Sequence, residues 1–332
     1  MTINEKLNNI QENVILANHT TFRIGGPAKY FFEAKTKEDL IKAMGWAREN
    51  NISYFILGGG SNLLASDKGY EGLVIKVKSS KFAIEDNKIT AEAGAPLFKL
   101  VIESANSNLT GLEWAAGIPG TIGGAVCGNA GAYGHSISES VVGCHTINSK
   151  GEFVNFNKDD CGFYYRGSAF KDASQRTFVL FNPSLHSGNG LVIVEIELKL
   201  ENDKNGQAQE TIKKNLADRR NKIPAFPSAG SFFKNYVLER ENPEKDPLIE
   251  RFPELKTQIK GGKLAARFLI GQCGLKGKTV GGAQISEQHG NFIVNIGGAK
   301  SSDVLELAQI CKERVKEKFG VELEEETKFL GF

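Results

Sequence analysis

The strongest constraint on this chain is an eighteen-residue run at 117–134, GIPGTIGGAVCGNAGAYG, in which seven positions are glycine. Glycine takes positive φ without steric cost and lets a backbone approach a ligand closely, while it weakens helix and strand interiors. A run of this kind reads as a loop whose successive N–H groups can converge on an anion, and a diphosphate needs several such donors. A second run, GGGSN at 58–62, follows the short apolar stretch SYFIL. One glycine loop alone is most often only a tight turn. Two in one half of a chain, with 37 glycines in 332 residues against a usual share of about 7%, point to a phosphate-bearing ligand. Neither run fits G-x-G-x-x-G with an acidic residue about 20 further on, nor G-x-x-x-x-G-K-[ST], so Rossmann and P-loop sites are disfavoured. The candidate ligand-cradling residues are Gly58, Gly59, Gly60, Ser61 and Asn62, with Gly117, Gly120, Thr121, Gly123, Gly124, Asn129, Gly131, Ala132 and Tyr133.

Length and charge narrow the partners. A chain of 332 residues has room for two domains or three small ones. The formal charge is +2 and no long Lys/Arg run occurs, which argues against nucleic acid or an anionic membrane surface as partner. Five cysteines, Cys127, Cys144, Cys161, Cys273 and Cys311, lie far apart with no C-x-x-C pair, so neither a disulfide framework nor a structural metal site is expected. The opening residues MTINEKLNNIQ are polar, and no apolar stretch is long enough to span a bilayer. The expectation is a cytoplasmic protein without membrane insertion.

Local patterns place the elements. Thr36 with Asp39 three residues on starts a helix over 36–50, with Leu40, Ile41, Met44 and Ala47 as its stripe. SYFIL and GLVIKV read as strands, and KFAIEDNKITAEAG as a hairpin turning at Asp86-Asn87. Pro96 opens a helix to about Ser107. Strands are expected at 141–147 and 152–156 around a Ser149-Lys150-Gly151 turn, and TFVLFNPSL with GLVIVEIELKL as an antiparallel pair. NDKNGQ at 202–207 has linker composition, which sets a boundary near 205. A charged helix follows over 208–220. Residues 236–262 are polar and read as a surface excursion. KLAARFLIGQC reads as a helix capped by Gly274, GAQIS and NFIVNI as strands, Ser302–Phe319 as a helix ended by Gly320, and VELEEETKFLG as a closing strand.

Several segments together resemble one family: TTFRIGGPA at 20–28, ILGGGSNLL at 56–64, GLEWAAGIPGTIGGAVCGNAGAYG at 111–134, YYRGSAFK at 164–171, PSAGSFFKN at 227–235, GLKGKTVGGAQIS at 274–286 and the closing LEEETKFLG. In order and spacing they are similar to the UDP-N-acetylenolpyruvoylglucosamine reductases, from about residue 18 to the end, and to the shorter subclass that lacks a tyrosine-bearing insertion. The resemblance implies an α+β fold: a two-part FAD-binding domain of the vanillyl-alcohol-oxidase-like (PCMH-type) fold, residues 1–70 and 71–205, and a C-terminal α+β domain, 206–332, for a UDP-sugar. It implies non-covalent FAD, NADPH as reducing co-substrate, and reduction of UDP-N-acetylglucosamine enolpyruvate on the way to peptidoglycan. A monomer is favoured. The chain departs from the family pattern at Tyr236, where proline is usual, at Phe268, where tryptophan is usual, and at Thr327-Lys328, where Val-Arg is usual.

The resemblance also assigns chemistry. In the family reaction the substrate's methylene carbon takes a hydride while negative charge develops on the neighbouring carbon and its carboxylate. That charge needs a cation or donor, and the carbon needs a proton. Arg166 in YYRGS matches the arginine that holds the carboxylate, a task suited to a permanently charged fork. Ser231 in AGSFFK matches the proton donor. Read alone, a Ser after Gly is usually a turn residue bonded to nearby backbone. Glu326 matches the closing carboxylate, and its pKa would have to be raised for it to help as an acid. Glu324 and Glu325 beside it read as solvated strand residues. Arg219, Lys222 and Asn235 match substrate-contact positions, and His289 in EQHGNF is a further candidate, though a lone histidine is more often a structural hydrogen-bonder. Two other readings fit parts of the pattern: a different flavin oxidase or dehydrogenase on the same FAD fold, and a non-catalytic sugar-nucleotide-binding protein.

Overall fold

The computed structural model describes residues 7–171, 190–239 and 242–332. They form two compact units, neither of them a single stretch of chain. The first is Met1–Val14, Ala28–Gly59 and Tyr70–Arg219, and the second is Ile15–Pro27, Gly60–Gly69 and Arg220–Phe332. The units are interleaved, whereas the division expected from composition is consecutive. The segments that join the C-terminal residues carry TTFRIGG and GSNLLAS, in which Gly26 and Gly60 are packed too tightly for side chains. A Cβ on Gly26 would lie 2.1 Å from the Asp67 carbonyl oxygen, and one on Gly60 (φ +69°) 2.1 Å from that of His19.

In the first unit a four-stranded sheet runs in the order Gln11–Ile15, Pro27–Ala34, Tyr70–Val77, Tyr54–Leu57, with the last three strands parallel. Leu73, Val74 and Ile75 are all fully buried, the continuous apolar run of a strand covered on both faces. The crossover helix Lys37–Glu49 begins where expected. Thr36 Oγ1 accepts the Asp39 N–H at 3.1 Å and Asp39 Oδ2 accepts the Thr36 N–H at 3.2 Å, a reciprocal capping box. The helix buries Leu40, Ala43, Met44, Trp46 and Ala47. The second sheet is antiparallel, in the order Phe153–Asn157, Val141–Ile147, Val192–Lys199, Lys88–Glu92, Phe82–Glu85. Its hairpin turns through Asp86 at φ 53°, a conformation that Asp tolerates. Helices Leu97–Asn106 and Ile122–Cys127 pack against this sheet in one core with Ile89, Leu100, Ile122, Val126 and Ile196.

In the second unit the three-stranded antiparallel sheet Thr279–Val280, Ala283–Ile285, Ile293–Asn295 packs against helix Ser301–Phe319. That helix buries Val304, Leu307, Ala308, Cys311 and Val315 at three- and four-residue spacing, and Gly320 ends it at φ +74°. Its N-terminus is met by Asp67, whose Oδ2 accepts the Ser301 N–H at 2.8 Å. Burial pushes the Cys311 thiol up to about 12, so it acts as a small apolar group.

Several expectations change. The 117–134 run is not all loop: Ile122–Cys127 is helical, with Thr121 as its cap. The stretch 236–262 is not a surface excursion, because Leu248, Ile249 and Leu255 are buried in the C-terminal core. Tyr236 donates to the buried Asp246 carboxylate at 3.4 Å, which also accepts the Glu239 and Leu248 N–H groups. Tyr236 thus adds a hydroxyl contact to Asp246 that proline would not make. KLAARFLIGQC is helical only over Ala266–Gln272, since Lys263–Leu264 pair with Tyr236–Val237. The closing strand is confined to Lys328–Leu330, parallel to Leu63–Ala65, with a single bridge at Glu325 before it. Val192–Lys199 pairs with Val141–Ile147 and Lys88–Glu92, and TFVLFNPSL lies outside the described residues.

Candidate active site

Arg166 sits in the first unit on a two-residue turn. Tyr164 and Gly167 exchange both backbone hydrogen bonds at 3.1 Å, leaving Tyr165 and Arg166 at the tip. Arg166 has φ +61°, uncommon for a non-glycine residue and a form of strain that persists where the surroundings enforce it. Three contacts enforce it here. Arg166 Nη1 donates to the Gly131 carbonyl at 2.9 Å, the buried Lys171 ammonium donates to the Arg166 carbonyl, and Asn129 Nδ2 donates to the Tyr164 carbonyl at 2.9 Å. The Tyr164 ring lies over Gly167, where a Cβ would displace it. Asn129 and Gly131, expected to touch a cofactor, thus support the Arg166 turn. Lys171 lies within YYRGSAFK, a motif whose pattern alone gives it no role.

The two glycine loops meet. A Cβ on Gly58 would lie 2.8 Å from Thr121 Oγ1, and one on Gly59 2.5 Å from Gly120 Cα, so each loop lets the other approach. Gly117 and Gly120 take φ +75° and +120°. Gly123 plays another part: its N–H donates to the Ala93 carbonyl at 2.9 Å and a Cβ there would strike Ala93, which makes it a packing glycine and not a free donor. Against Gly117 lies the Arg219 side chain, whose Nε is buried and has no hydrogen-bond partner among the described residues. Burial pulls the Arg219 pKa below the usual guanidinium range. Beside it Tyr133, at φ +54°, donates to Asp218 Oδ2 at 2.9 Å, with the Arg219 guanidinium 5.9 Å from its ring centre. A close glycine-lined backbone and a buried Arg219 Nε with no hydrogen-bond partner among the described residues fit a ligand with a diphosphate.

This geometry selects a test. Gly123→Val would disrupt packing whatever the loop does. Gly124 has room, since its Cβ would meet only Thr121 Oγ1 at 3.5 Å. We expect Gly124→Val to purify folded with little bound flavin, read as the ratio of visible to ultraviolet absorbance. Full flavin occupancy in the folded variant would remove this loop from the cofactor site.

Ser231 and Glu326 belong to the second unit, on adjacent strands of backbone. Phe233 and Glu325 form an antiparallel bridge. The Glu326 N–H donates to the Phe232 carbonyl at 2.8 Å and the Lys234 N–H to the Glu324 carbonyl at 2.8 Å. Ser231 is thereby the residue next to the one that Glu326 pairs with. Asn62, expected to touch a cofactor, donates through Nδ2 to the Glu326 carbonyl at 3.1 Å. Thr327 Oγ1 is buried and has no hydrogen-bond partner among the described residues, a local cost that the usual valine would not carry. Asn235 Oδ1 accepts the Ala266 N–H at 3.2 Å, at the start of helix Ala266–Gln272. Lys222 ends helix Ala208–Lys222 on an exposed turn. His289 is mostly buried. Burial, with Arg267 nearby, lowers its pKa to about 4, so the ring is neutral at neutral pH, and the Asn291 N–H donating to Nδ1 at 3.4 Å makes that nitrogen the acceptor.

Residues 28–157 match the family described as FAD binding domain. With the paired glycine loops, this defines the chain as a flavoprotein of that class. Residues 221–330 match the family described as UDP-N-acetylenolpyruvoylglucosamine reductase, C-terminal domain. The chain is 37% identical over 325 residues to the UDP-N-acetylenolpyruvoylglucosamine reductase of Clostridium tetani, covering 97% of this chain and 92% of the relative. It is 39% identical over 322 residues to that of Alkaliphilus oremlandii, covering 95% and 91%. The crystal structure of the Thermus caldophilus reductase matches with a TM-score of 0.71 at 31% identity, covering 97% of this chain and 100% of that one. The chain belongs to the UDP-N-acetylenolpyruvoylglucosamine reductase family. No helix among the described residues is long and apolar enough to cross a membrane.

Proposed function

We propose that this protein reduces UDP-N-acetylglucosamine enolpyruvate to UDP-N-acetylmuramate, with FAD as cofactor and NADPH as reductant, in the synthesis of peptidoglycan precursors. The observation that carries the reading is the match of residues 221–330 to the reductase C-terminal domain, because that domain holds Ser231 and Glu326. A flavin oxidase or dehydrogenase of the wider FAD fold would need no such domain. A non-catalytic binding protein would have no need of Arg166 on a strained turn.

Gly58, Gly59, Gly117, Gly120 and Thr121 would hold the diphosphate of FAD, which when bound would supply the hydride. The substrate's CH2=C(OR)–COO⁻ becomes CH3–CH(OR)–COO⁻, so one hydride reaches the methylene carbon and one proton the carbon beside it. Arg166 holds the carboxylate and opposes the charge that spreads into it. Ser231 donates the proton: a hydroxyl is a weak acid, but an enolate-like carbon is a strong base. Glu326 sets the hydrogen bonding around that charge. Arg219 and Lys222 meet anionic groups of the UDP-sugar, with Asn235 and His289 as further substrate contacts. The enzyme works as a cytoplasmic monomer.

An anaerobic titration tests the whole reading. The flavin spectrum should bleach with NADPH and return on adding the enolpyruvyl sugar. Bleaching that only oxygen reverses would identify an oxidase, and a protein without visible absorbance would be the binding protein.

A further inference from the structure

The segment Ser231–Phe233 is fixed from two sides. On one side the carbonyl of Phe232 accepts the N–H groups of Glu326 at 2.8 Å and Thr327 at 3.3 Å. On the other side a single residue, Asn291, does the work of a neighbouring strand. Its backbone carbonyl accepts the Phe232 N–H at 2.8 Å. Its side chain accepts the Phe233 N–H at Oδ1, 3.0 Å, and donates from Nδ2 to the Phe233 carbonyl, 2.8 Å. Asn291 is 3% exposed, so water does not compete for these bonds. A side-chain amide offers one acceptor and one donor in a fork, which matches both polar groups of one peptide residue. Aspartate has the same shape but two acceptors, and it would set a carboxylate oxygen against the Phe233 carbonyl.

The Phe232 backbone therefore links Asn291 through its N–H and Glu326 through its carbonyl, and Ser231 is the next residue. We propose that Asn291 is a positioning residue for the proton-transfer half of the reaction, setting Ser231 and Glu326 relative to one another through the Phe232–Phe233 backbone. The inference rests on the reading of Ser231 as proton donor and Glu326 as its neighbouring carboxylate. Displacing a reacting group by about 1 Å from a distance can cost about 10²-fold in rate, so the expected effect is large although Asn291 touches no substrate.

The test compares Asn291→Asp and the smaller, uncharged Asn291→Ser, which serves if the first does not fold, with Ser231→Ala and the double variant Ser231→Ala/Asn291→Ser. All are measured as flavoproteins below their melting temperatures. Flavin content and the rate of flavin reduction by NADPH should match the parent. Reoxidation at saturating enolpyruvyl sugar should slow by roughly 10–100-fold, with a small change in the half-saturating concentration. In the double variant the loss should be close to that of Ser231→Ala alone, because the residue being positioned is gone. A slow Ser231→Ala beside a normal reoxidation rate in the Asn291 variants, or multiplicative losses in the double variant, would overturn the inference. An unimpaired Ser231→Ala would instead remove the reading on which it rests.

Discussion

Ser231→Ala should leave flavin reduction by NADPH nearly intact and slow reoxidation by the enolpyruvyl sugar by about 10²–10⁴-fold, the usual cost of losing a positioned acid. The split between half-reactions is the diagnostic. A turn serine lost from the backbone would weaken the fold and lower both rates through the fraction of active protein. Here the backbone around Ser231 is held independently of its side chain: Phe232 and Phe233 are bonded to Asn291, and the Phe232 carbonyl to Glu326. Both phenylalanine rings are buried at 1% exposure and lie edge to face 5.1 Å apart. Removing one hydroxyl from so anchored a segment should leave its geometry in place. Stopped-flow traces of the two half-reactions decide the matter, and equal slowing of both would assign Ser231 a structural part.

What could be read from the sequence was what is decided locally. The capping box at Thr36 and Asp39 and the period of Leu40, Met44 and Ala47 lie within one helix, and the helix formed there. The hairpin at Asp86 and the Gly320 terminus rest on local conformations in the same way. The stretch 236–262 differs from its polar pattern because prolines and charges describe solvent only when nothing apolar returns to the core, and Leu248, Ile249 and Leu255 do. Asn129 and Asn62 sit in the glycine loops, where local pattern points only to a ligand. Their amides bond to backbone carbonyls 35 and 264 residues away, which no local pattern encodes. The part played by Asn291 is hidden from local pattern for the same reason, since its bonds to Phe233 span 58 residues. The catalytic candidates were legible only through resemblance. A serine after a glycine, or one of three successive glutamates, carries no chemical signature of its own.

Glu326→Gln should slow reoxidation of reduced flavin by the enolpyruvyl sugar by roughly 10²–10³-fold, the scale for losing one preorganised polar group at a charge that develops during reaction. The competing assignment is a slip of one residue, and the backbone pairing bears on it. Side chains alternate along extended backbone, so Glu325 should point away from the face that Glu324 and Glu326 share. Glu325 is ion-paired to Lys312 on helix Ser301–Phe319, which accounts for its direction. One step along from the Phe233–Glu325 bridge, Glu324 falls across from Lys234, and the two are ion-paired at 2.9 Å. Both neighbours are thus engaged in pairs of their own. Glu325→Gln should cost about 0–1 kcal/mol of stability, the usual worth of such a pair, and leave the half-reactions unchanged. Glu324→Gln, at a side chain 73% exposed, should have at most an intermediate effect on reoxidation. The three variants are compared by stopped flow at saturating substrate, with melting temperatures in parallel. A crippled Glu325→Gln beside a normal Glu326→Gln would shift the register by one, and Ser231 would then need a different carboxylate partner.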